Sequence, residues 1–161
     1  MIRAVTALVL FAFAVSGVAG DQPDSVTVAR AMVDAINQRD LEGLDAWVAE
    51  DVVRHSAATP GVVVTNIDEF RAFLEQDFTS IPDSVMEIEV IFGSGAYVAM
   101  RARYSGTQSG QMGPFPPTGK RFEIPFIGIL RFADGKIAEI WVEWDNLNAL
   151  TQLGHLSPPD H

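Results

Sequence analysis

Two strand-like runs joined by Asp134-Gly135 constrain the fold of this chain more than any other feature of its sequence. Asp-Gly between two β-prone, largely apolar runs is a strong signal for a two-residue β-hairpin turn. Counting outward from that turn places Phe126 opposite Glu143, with Asp145 two residues further along. The sequence therefore predicts a long hairpin whose two carboxylates stand at the far end of an apolar wall.

Side chains alternate across a strand, so this register assigns each residue of the hairpin to one face. The first face is predicted to carry Phe122, Ile124, Phe126, Leu130, Phe132, Ile137, Glu139, Trp141, Glu143 and Asp145. The second face is predicted to carry Ile127, Ile129, Ile140, Val142 and Trp144. A sheet that is apolar on both faces needs two covers. We expect the chain's own helices on one face and a second copy on the other, which makes the protein a homodimer.

The rest of the chain predicts helices first and strands afterwards. Apolar residues recur at helical spacing over residues 25–38, 41–48 and 66–78. The stripe of the third helix consists of Ile67, Phe70, Phe73, Leu74, Asp77 and Phe78. Residues 85–92 and 96–104 form a second hairpin. The order predicts an α+β fold in which three N-terminal helices pack on a curved antiparallel sheet and a short helix follows the sheet.

The first twenty residues have the layout of a secretory signal. One basic residue, Arg3, precedes an apolar run through Val15, and small residues end at Gly20. The run is shorter than the roughly 20 residues that a membrane span needs. We therefore expect a cleaved signal peptide over residues 1–20, a single domain over residues 21–161, and export to the periplasm or the medium. The alternative is an uncleaved membrane anchor.

Composition narrows the classes of partner. The chain has a formal net charge of -10 and no basic cluster, so we expect no nucleic-acid partner and no membrane partner after signal cleavage. It has no cysteine, and of its three histidines only His55 lies outside the C-terminal tail. No metal triad and no Gly-rich phosphate loop can be identified. The sequence predicts neither a metal nor a cofactor.

A fifteen-residue segment, 105–119, is rich in Gly, Pro, Ser, Thr and Gln and enters the central hairpin directly. Loops of this length in small domains usually line a site or act as lids. We expect this loop to lie at one end of the sheet. Its residues Gln108 and Met112 are candidates for contact with a ligand.

Several short segments carry a more specific signal. They are residues 113–120, Arg131-Phe132, residues 134–137, Glu139, Trp141, Trp144-Asp145 and residues 152–154, together with His55, residues 81–83 and residues 105–107. This set resembles the SnoaL-like polyketide cyclase, or ester cyclase, family over nearly all of residues 21–161. The resemblance implies the cone-shaped α+β barrel of the nuclear transport factor 2-like superfamily. In one departure, Gln108 stands where family members often have His.

The resemblance also implies a chemistry. Its cyclases use an Asp general acid/base, without metal or cofactor, for an intramolecular aldol ring closure, and the matching position here is Asp145. Burial near Trp141 and Phe126, with the like charge of Glu143 close by, would favour its protonated form and make it a stronger base. The alternative is that Asp145 caps the helix beginning near Leu147.

Other residues are candidates for supporting roles. His55 could donate a hydrogen bond to a developing enolate oxygen or shuttle a proton, and its alternative is a structural role. Glu143 is a further catalytic candidate, and its alternative is a charge at the rim of the sheet. The predicted substrate-binding wall consists of Trp47, Phe126, Tyr104, Gln108, Met112 and Trp141.

Two classes of function remain open from the sequence. The first is a cofactor-independent enzyme of the ester cyclase type that acts on a small apolar molecule containing a carbonyl group. The second is an exported, non-catalytic protein that binds such a molecule. An isomerase or hydrolase on the same fold is a variant of the first, because one fold hosts many activities.

Overall fold

The computed structural model describes residues 24–157, and within this range three α-helices pack against one five-stranded sheet. The signal peptide predicted for residues 1–20 lies outside the described residues. Between residues 24 and 157, no helix has the length and apolarity that a membrane span requires. The elements are α1 (Ser25–Asn37), a 3-10 helix (Glu42–Ala46), β1 (Val48–His55), α2 (Ile67–Ser80), β2 (Val85–Ser94), β3 (Tyr97–Thr107), β4 (Arg121–Ala133), β5 (Lys136–Trp144) and α3 (Asn146–Leu153).

Side-chain caps fix where the two long helices begin. The Asp24 carboxylate accepts hydrogen bonds from the backbone N–H groups of Val26 and Thr27 at the start of α1. The Asn66 side chain accepts from the N–H of Glu69 at the start of α2. Both helices turn their apolar stripes toward the sheet, where those side chains are buried. The predicted second helix, residues 41–48, is only the short 3-10 helix.

The strand order is β1-β5-β4-β3-β2. Four strands form an antiparallel meander, as predicted, but β1 pairs with β5 in parallel, so the sheet is mixed rather than antiparallel. Parallel pairing is possible because α2 and three strands separate β1 from β5 along the chain and provide the long crossover that it requires. The sheet is open and does not close into a barrel. The predicted α+β class, with helices packed on a curved sheet, is confirmed.

The hairpin turn at Asp134-Gly135 is confirmed, with φ of 50° and 78° at its two central residues. The register beyond it is not the predicted one. Phe132 pairs with Ile137 but Arg131 pairs with Glu139, which leaves Ala138 as a bulge.

One extra residue moves every later side chain of β5 to the other face. Ile140, Val142 and Trp144 therefore face the helices, whereas Trp141 and Glu143 lie on the outer face. The predicted faces of β5 are wrong from Glu139 onward. Phe126 now pairs with Trp144 rather than with Glu143.

The two faces of the sheet have different surroundings. The inner face packs on α1 and α2 around buried residues of β3, β4 and β5. The outer face, by contrast, exposes Val90, Phe92, Tyr97, Ile127 and Ile129. Within residues 24–157, the helices cover only the inner face.

Candidate functional site

A carboxyl group stands inside the fold where α2 faces the sheet. Asp77 lies on the apolar stripe of α2, and its Oδ2 accepts a hydrogen bond from the Tyr104 hydroxyl at 2.5 Å. Tyr104 lies near the end of β3, opposite Ile124 of β4. A small recess opens beside this pair, lined by Ile36, Asn37, Arg39, Leu74, Asp77, Phe78, Ser84, Met86 and Tyr104.

The surroundings perturb both members of the pair. Burial raises the pKa of Asp77, and the Tyr104 hydrogen bond and the charges of Arg39 and Arg54 only partly oppose it. Burial, reinforced by the neighbouring Asp77 carboxylate, raises the pKa of Tyr104 as well. Tyr104 therefore keeps its phenolic proton and acts as a donor, whereas Asp77 can exchange a proton at a higher pH than an exposed carboxyl group.

Arg39 forms one wall of the recess. It has a positive φ of 62°, and its guanidinium donates to the backbone oxygens of Pro82 and Ser84 at 2.9 Å each. The same guanidinium lies 4.0 Å from the centre of the Phe78 ring. These contacts connect the end of α1 to the segment before β2 and place a fixed positive charge beside Asp77.

Arg54 is a second cation on the inner side. It lies on β1, is only 7% exposed, and stacks 4.3 Å from the centre of the Phe73 ring and 5.8 Å from that of Trp144. Its Nη1 donates to Thr59 Oγ1 at 3.0 Å. Phe73, whose ring Arg54 contacts, precedes Asp77 by one turn of α2. Arg54 of β1 therefore packs against the same face of α2 that carries Asp77.

Asp145, which the sequence resemblance predicted as the acid/base residue, does not line the recess. It is exposed, and its Oδ1 accepts from the N–H of Asn148 at 2.9 Å as the cap of α3. The burial near Trp141 and Phe126 that we expected for it is wrong, because the bulge at Ala138 changes what faces inward at this end of β5. The capping alternative describes its geometry, and a catalytic role for Asp145 stays a prediction.

His55 and Glu143 lie on the outer face of the sheet. The His55 ring stacks on Trp141 with 5.2 Å between centroids, and its Nε2 lies 3.0 Å from Glu139 Oε1. Glu139 also accepts from Arg131 Nε at 2.7 Å. Glu143 accepts hydrogen bonds from two backbone N–H groups of the loop after β1. Neither His55 nor Glu143 lines the recess.

Of the six predicted substrate-binding residues, the structure places Tyr104 in the recess. Phe126 and Trp47 pack in the main core, and Met112 packs against a second cluster around Leu153. Trp141 lies on the outer face with His55. These five residues of the predicted substrate-binding wall therefore lie in four different regions of the fold.

Gln108 has a structural role in the long loop. Its side chain is fully buried, and its Nε2 donates to the backbone oxygens of Phe115 and Pro116 at 3.2 and 3.0 Å. Its Oε1 accepts from Thr118 Oγ1 and contacts His155 Nε2 at 2.8 Å. The amide thus holds the loop against the residues that follow α3.

The sequence contained a signal for Asp77 that we did not interpret as functional. Asp77 follows Phe73 by four residues and Leu74 by three, so a carboxylate lies within an apolar helical stripe. Arg54 gives a similar signal, because it alternates with the fully buried Val52 on β1. Charges on inward-facing positions are uncommon and identify both residues as candidates.

No three His, Asp or Glu side chains of residues 24–157 lie close enough together to hold a metal ion. The polar groups of the recess are a carboxyl, a phenol, an amide, a hydroxyl and a guanidinium. The Asn37 amide is already paired with the backbone of Met86, and the Arg39 guanidinium with Pro82 and Ser84. The groups of the recess that can exchange a proton are therefore the carboxyl of Asp77 and the phenol of Tyr104.

Comparison with known proteins identifies the family. A search of curated protein sequences gave no match. Among solved structures, IdmH from Streptomyces antibioticus, named as a "putative polyketide cyclase", is 28% identical with a TM-score of 0.72, covering 82% of this chain and 99% of its own. AclR from Streptomyces galilaeus, named as a "putative hydroxylase", is 27% identical with a TM-score of 0.73, covering 86% of each chain.

A structure of an LEH-like epoxide hydrolase from M. tuberculosis has a TM-score of 0.65, covers 81% of this chain and 90% of its own, and at 15% identity supports the fold alone. These three neighbours are named after three different reactions. The family profile described as SnoaL-like polyketide cyclase matches residues 26–153. This chain therefore belongs to the SnoaL-like polyketide cyclase family.

Proposed function

We propose that this protein is a cofactor-independent enzyme of the cyclase type that moves a proton at the carbon next to a carbonyl group of a small apolar molecule. Asp77 is the general acid/base and Tyr104 is the hydrogen-bond donor to the developing enolate. The observation that supports this assignment is the 2.5 Å hydrogen bond between Tyr104 and the buried Asp77 carboxyl at the recess. A positioned base of this kind contributes about 10² to 10⁴ in rate.

The reaction can be written with these two side chains. Asp77 takes the proton from the carbon, the C–H electron pair becomes the enolate, and the Tyr104 hydroxyl transfers its hydrogen bond from Asp77 to the enolate oxygen. In a cyclase the enolate carbon then forms a bond to a second carbonyl carbon of the same molecule. Asp77 returns its proton to the new alkoxide, so that product and substrate are isomers.

The proposed site of action is outside the cytoplasm, and this rests on the predicted signal peptide at residues 1–20.

A non-catalytic binding protein is the second candidate. The observation that favours it is the position of Asp145, which matches the family's acid/base residue but here caps α3. If Asp145 serves only as a helix cap, the protein would keep a pocket and have no turnover.

The test is hydrogen–deuterium exchange at the carbon next to the carbonyl of cyclohexanone and 1-indanone in D₂O, followed by proton NMR. The wild type should exchange faster than buffer, and Asp77→Asn should lower the enzymatic rate by about 10² or more. Asp34→Asn is the matched control, since it removes one carboxylate from the exposed side of α1.

Three results would overturn the assignment. Exchange in Asp77→Asn equal to that of the wild type would remove Asp77 from the chemistry. Loss of exchange in Asp145→Asn alone would transfer the role to Asp145. Binding of both ketones by a wild type that exchanges neither would favour the non-catalytic candidate.

A further inference from the structure

Arg54 is a buried cation whose hydrogen-bonding capacity is mostly unused. A guanidinium has five N–H donors. Among the described residues only Thr59 Oγ1 accepts a hydrogen bond from it. The residue is nevertheless buried, with only 7% of its surface exposed.

The described carboxylates do not form an ion pair with Arg54. Asp77 and Glu143 act on it only through their charge, because Asp77 is bonded to Tyr104 and Glu143 to the backbone of Ala57 and Ala58. Buried arginines are almost always paired with an anion or satisfied by hydrogen bonds. The aromatic rings on its sides hold the guanidinium plane in place without using its donors.

A second unused polar group lies on the same segment of the chain, just after β1. Ser56 follows Arg54 by two residues. Its Oγ is buried and has no hydrogen-bond partner within residues 24–157. Two residues along an extended chain span about 6.6 Å. An unpartnered hydroxyl costs free energy when it is buried, unless a ligand or water binds it.

These two groups are next to the proposed reaction centre. The ring under Arg54 belongs to Phe73, and Asp77 is one helical turn of about 5.4 Å further along α2. The charges of Arg54 and Asp77 act on each other, although Arg54 and Ser56 do not themselves line the recess.

We propose that Arg54 and Ser56 bind a carboxylate of the substrate, so that the reacting molecule is a keto acid rather than a neutral ketone. This inference rests on the proposed function for the position of the ketone. Arg donates two parallel hydrogen bonds to a carboxylate, and charge-assisted bonds of this kind are about twice as strong as neutral ones. Ser56 supplies a third donor.

The test uses isothermal titration calorimetry to compare 4-oxo-4-phenylbutanoate with its methyl ester, which keeps the same ketone but has no charge. Wild type should bind the acid at least tenfold more tightly than the ester. Arg54→Met, which keeps the apolar stem over Phe73, should bring the ratio of the two Kd values close to one. Arg54→Lys should keep part of the preference, and Arg30→Met on the exposed side of α1 should keep all of it.

Ser56→Ala removes a group without a protein partner and should fold normally, so it decides the outcome if Arg54→Met does not fold. It should lower the acid preference about threefold. A wild type that binds neither probe, or binds both equally, overturns the inference, as does an acid preference that survives in both Arg54→Met and Ser56→Ala.

The failure of this inference can be separated from that of the proposed function. Asp77→Asn should keep the preference for the acid, because binding precedes proton transfer and does not require the base. Loss of exchange in Asp77→Asn and loss of preference in Arg54→Met are thus two independent results.

Discussion

The raised pKa of Asp77 predicts a specific dependence of stability on pH. An exposed aspartate has a pKa of 3.8, and burial against the sheet raises the value in the folded state. Between these two pH values the folded state binds a proton that the unfolded state has released. The contribution of Asp77 to stability is therefore fully present below pH 3.8 and is lost as the pH rises through the folded pKa.

The size of the effect follows from the linkage relation. One proton bound only in the folded state changes the free energy of unfolding by at most about 1.4 kcal/mol per pH unit. Asp77→Asn removes this proton and leaves the shape of the side chain nearly unchanged. The free energy of unfolding of Asp77→Asn minus that of the wild type should therefore rise with pH from about 4, with a slope of up to about 1.4 kcal/mol per unit, and level off above the folded pKa.

Urea unfolding of both proteins at half-unit steps between pH 4 and 8 measures this difference. Taking the difference cancels the other titrating groups that the two proteins share. Asp34→Asn controls for the removal of a surface carboxylate. A difference that is flat, or that falls with rising pH, would show that burial does not dominate at Asp77 and would refute the reasoning.

Two further predictions concern Asp145 and the outer face of the sheet. Asp145→Ala should lower the free energy of unfolding by about 1 kcal/mol in urea titration. Asp145→Asn should change it little, because Asn is as good a helix cap as Asp. Equal losses in the two variants would contradict the capping geometry. The exposed Ile127 and Ile129 on the central strand favour a homodimer through this face. Sedimentation at micromolar concentration should show a dimer for the wild type and a monomer for Ile127→Glu; a monomeric wild type would contradict it.

The fold could be predicted from the sequence because its determinants are local. The Asp134-Gly135 turn specifies a hairpin by its backbone conformation alone, and both central residues have the positive φ that such a turn requires. Asn66 marks the start of α2 in the same way. The parallel pairing of β1 with β5 depends instead on contacts between distant segments, which no local pattern encodes.

The candidate site could not be predicted in the same way, because a single residue changes its composition. Alternation is a reliable guide along a strand only while the register is unbroken, and no turn or glycine in β5 indicates the bulge at Ala138. The bulge sends Trp141 and Glu143 outward and brings Trp144 inward, next to Arg54. The predicted position of Glu143 and Asp145 beside a buried aromatic wall is therefore wrong, because Glu143 faces outward and Asp145 is exposed.

The two residues proposed for the site have a signal in the sequence, which is a charge placed within an apolar pattern. Asp77 and Arg54 each interrupt an inward-facing run, one on a helix and one on a strand, and both elements keep their regular period there. Burying a carboxyl or a guanidinium costs free energy, and a fold retains such a group when hydrogen bonds or a ligand offset that cost. Tyr104 provides the offset for Asp77, whereas for Arg54 the described residues provide one hydrogen bond. A ligand anion at Arg54 would offset the cost of burying the guanidinium. The preference of the protein for the acid over the ester is therefore the measurement that most directly defines the substrate.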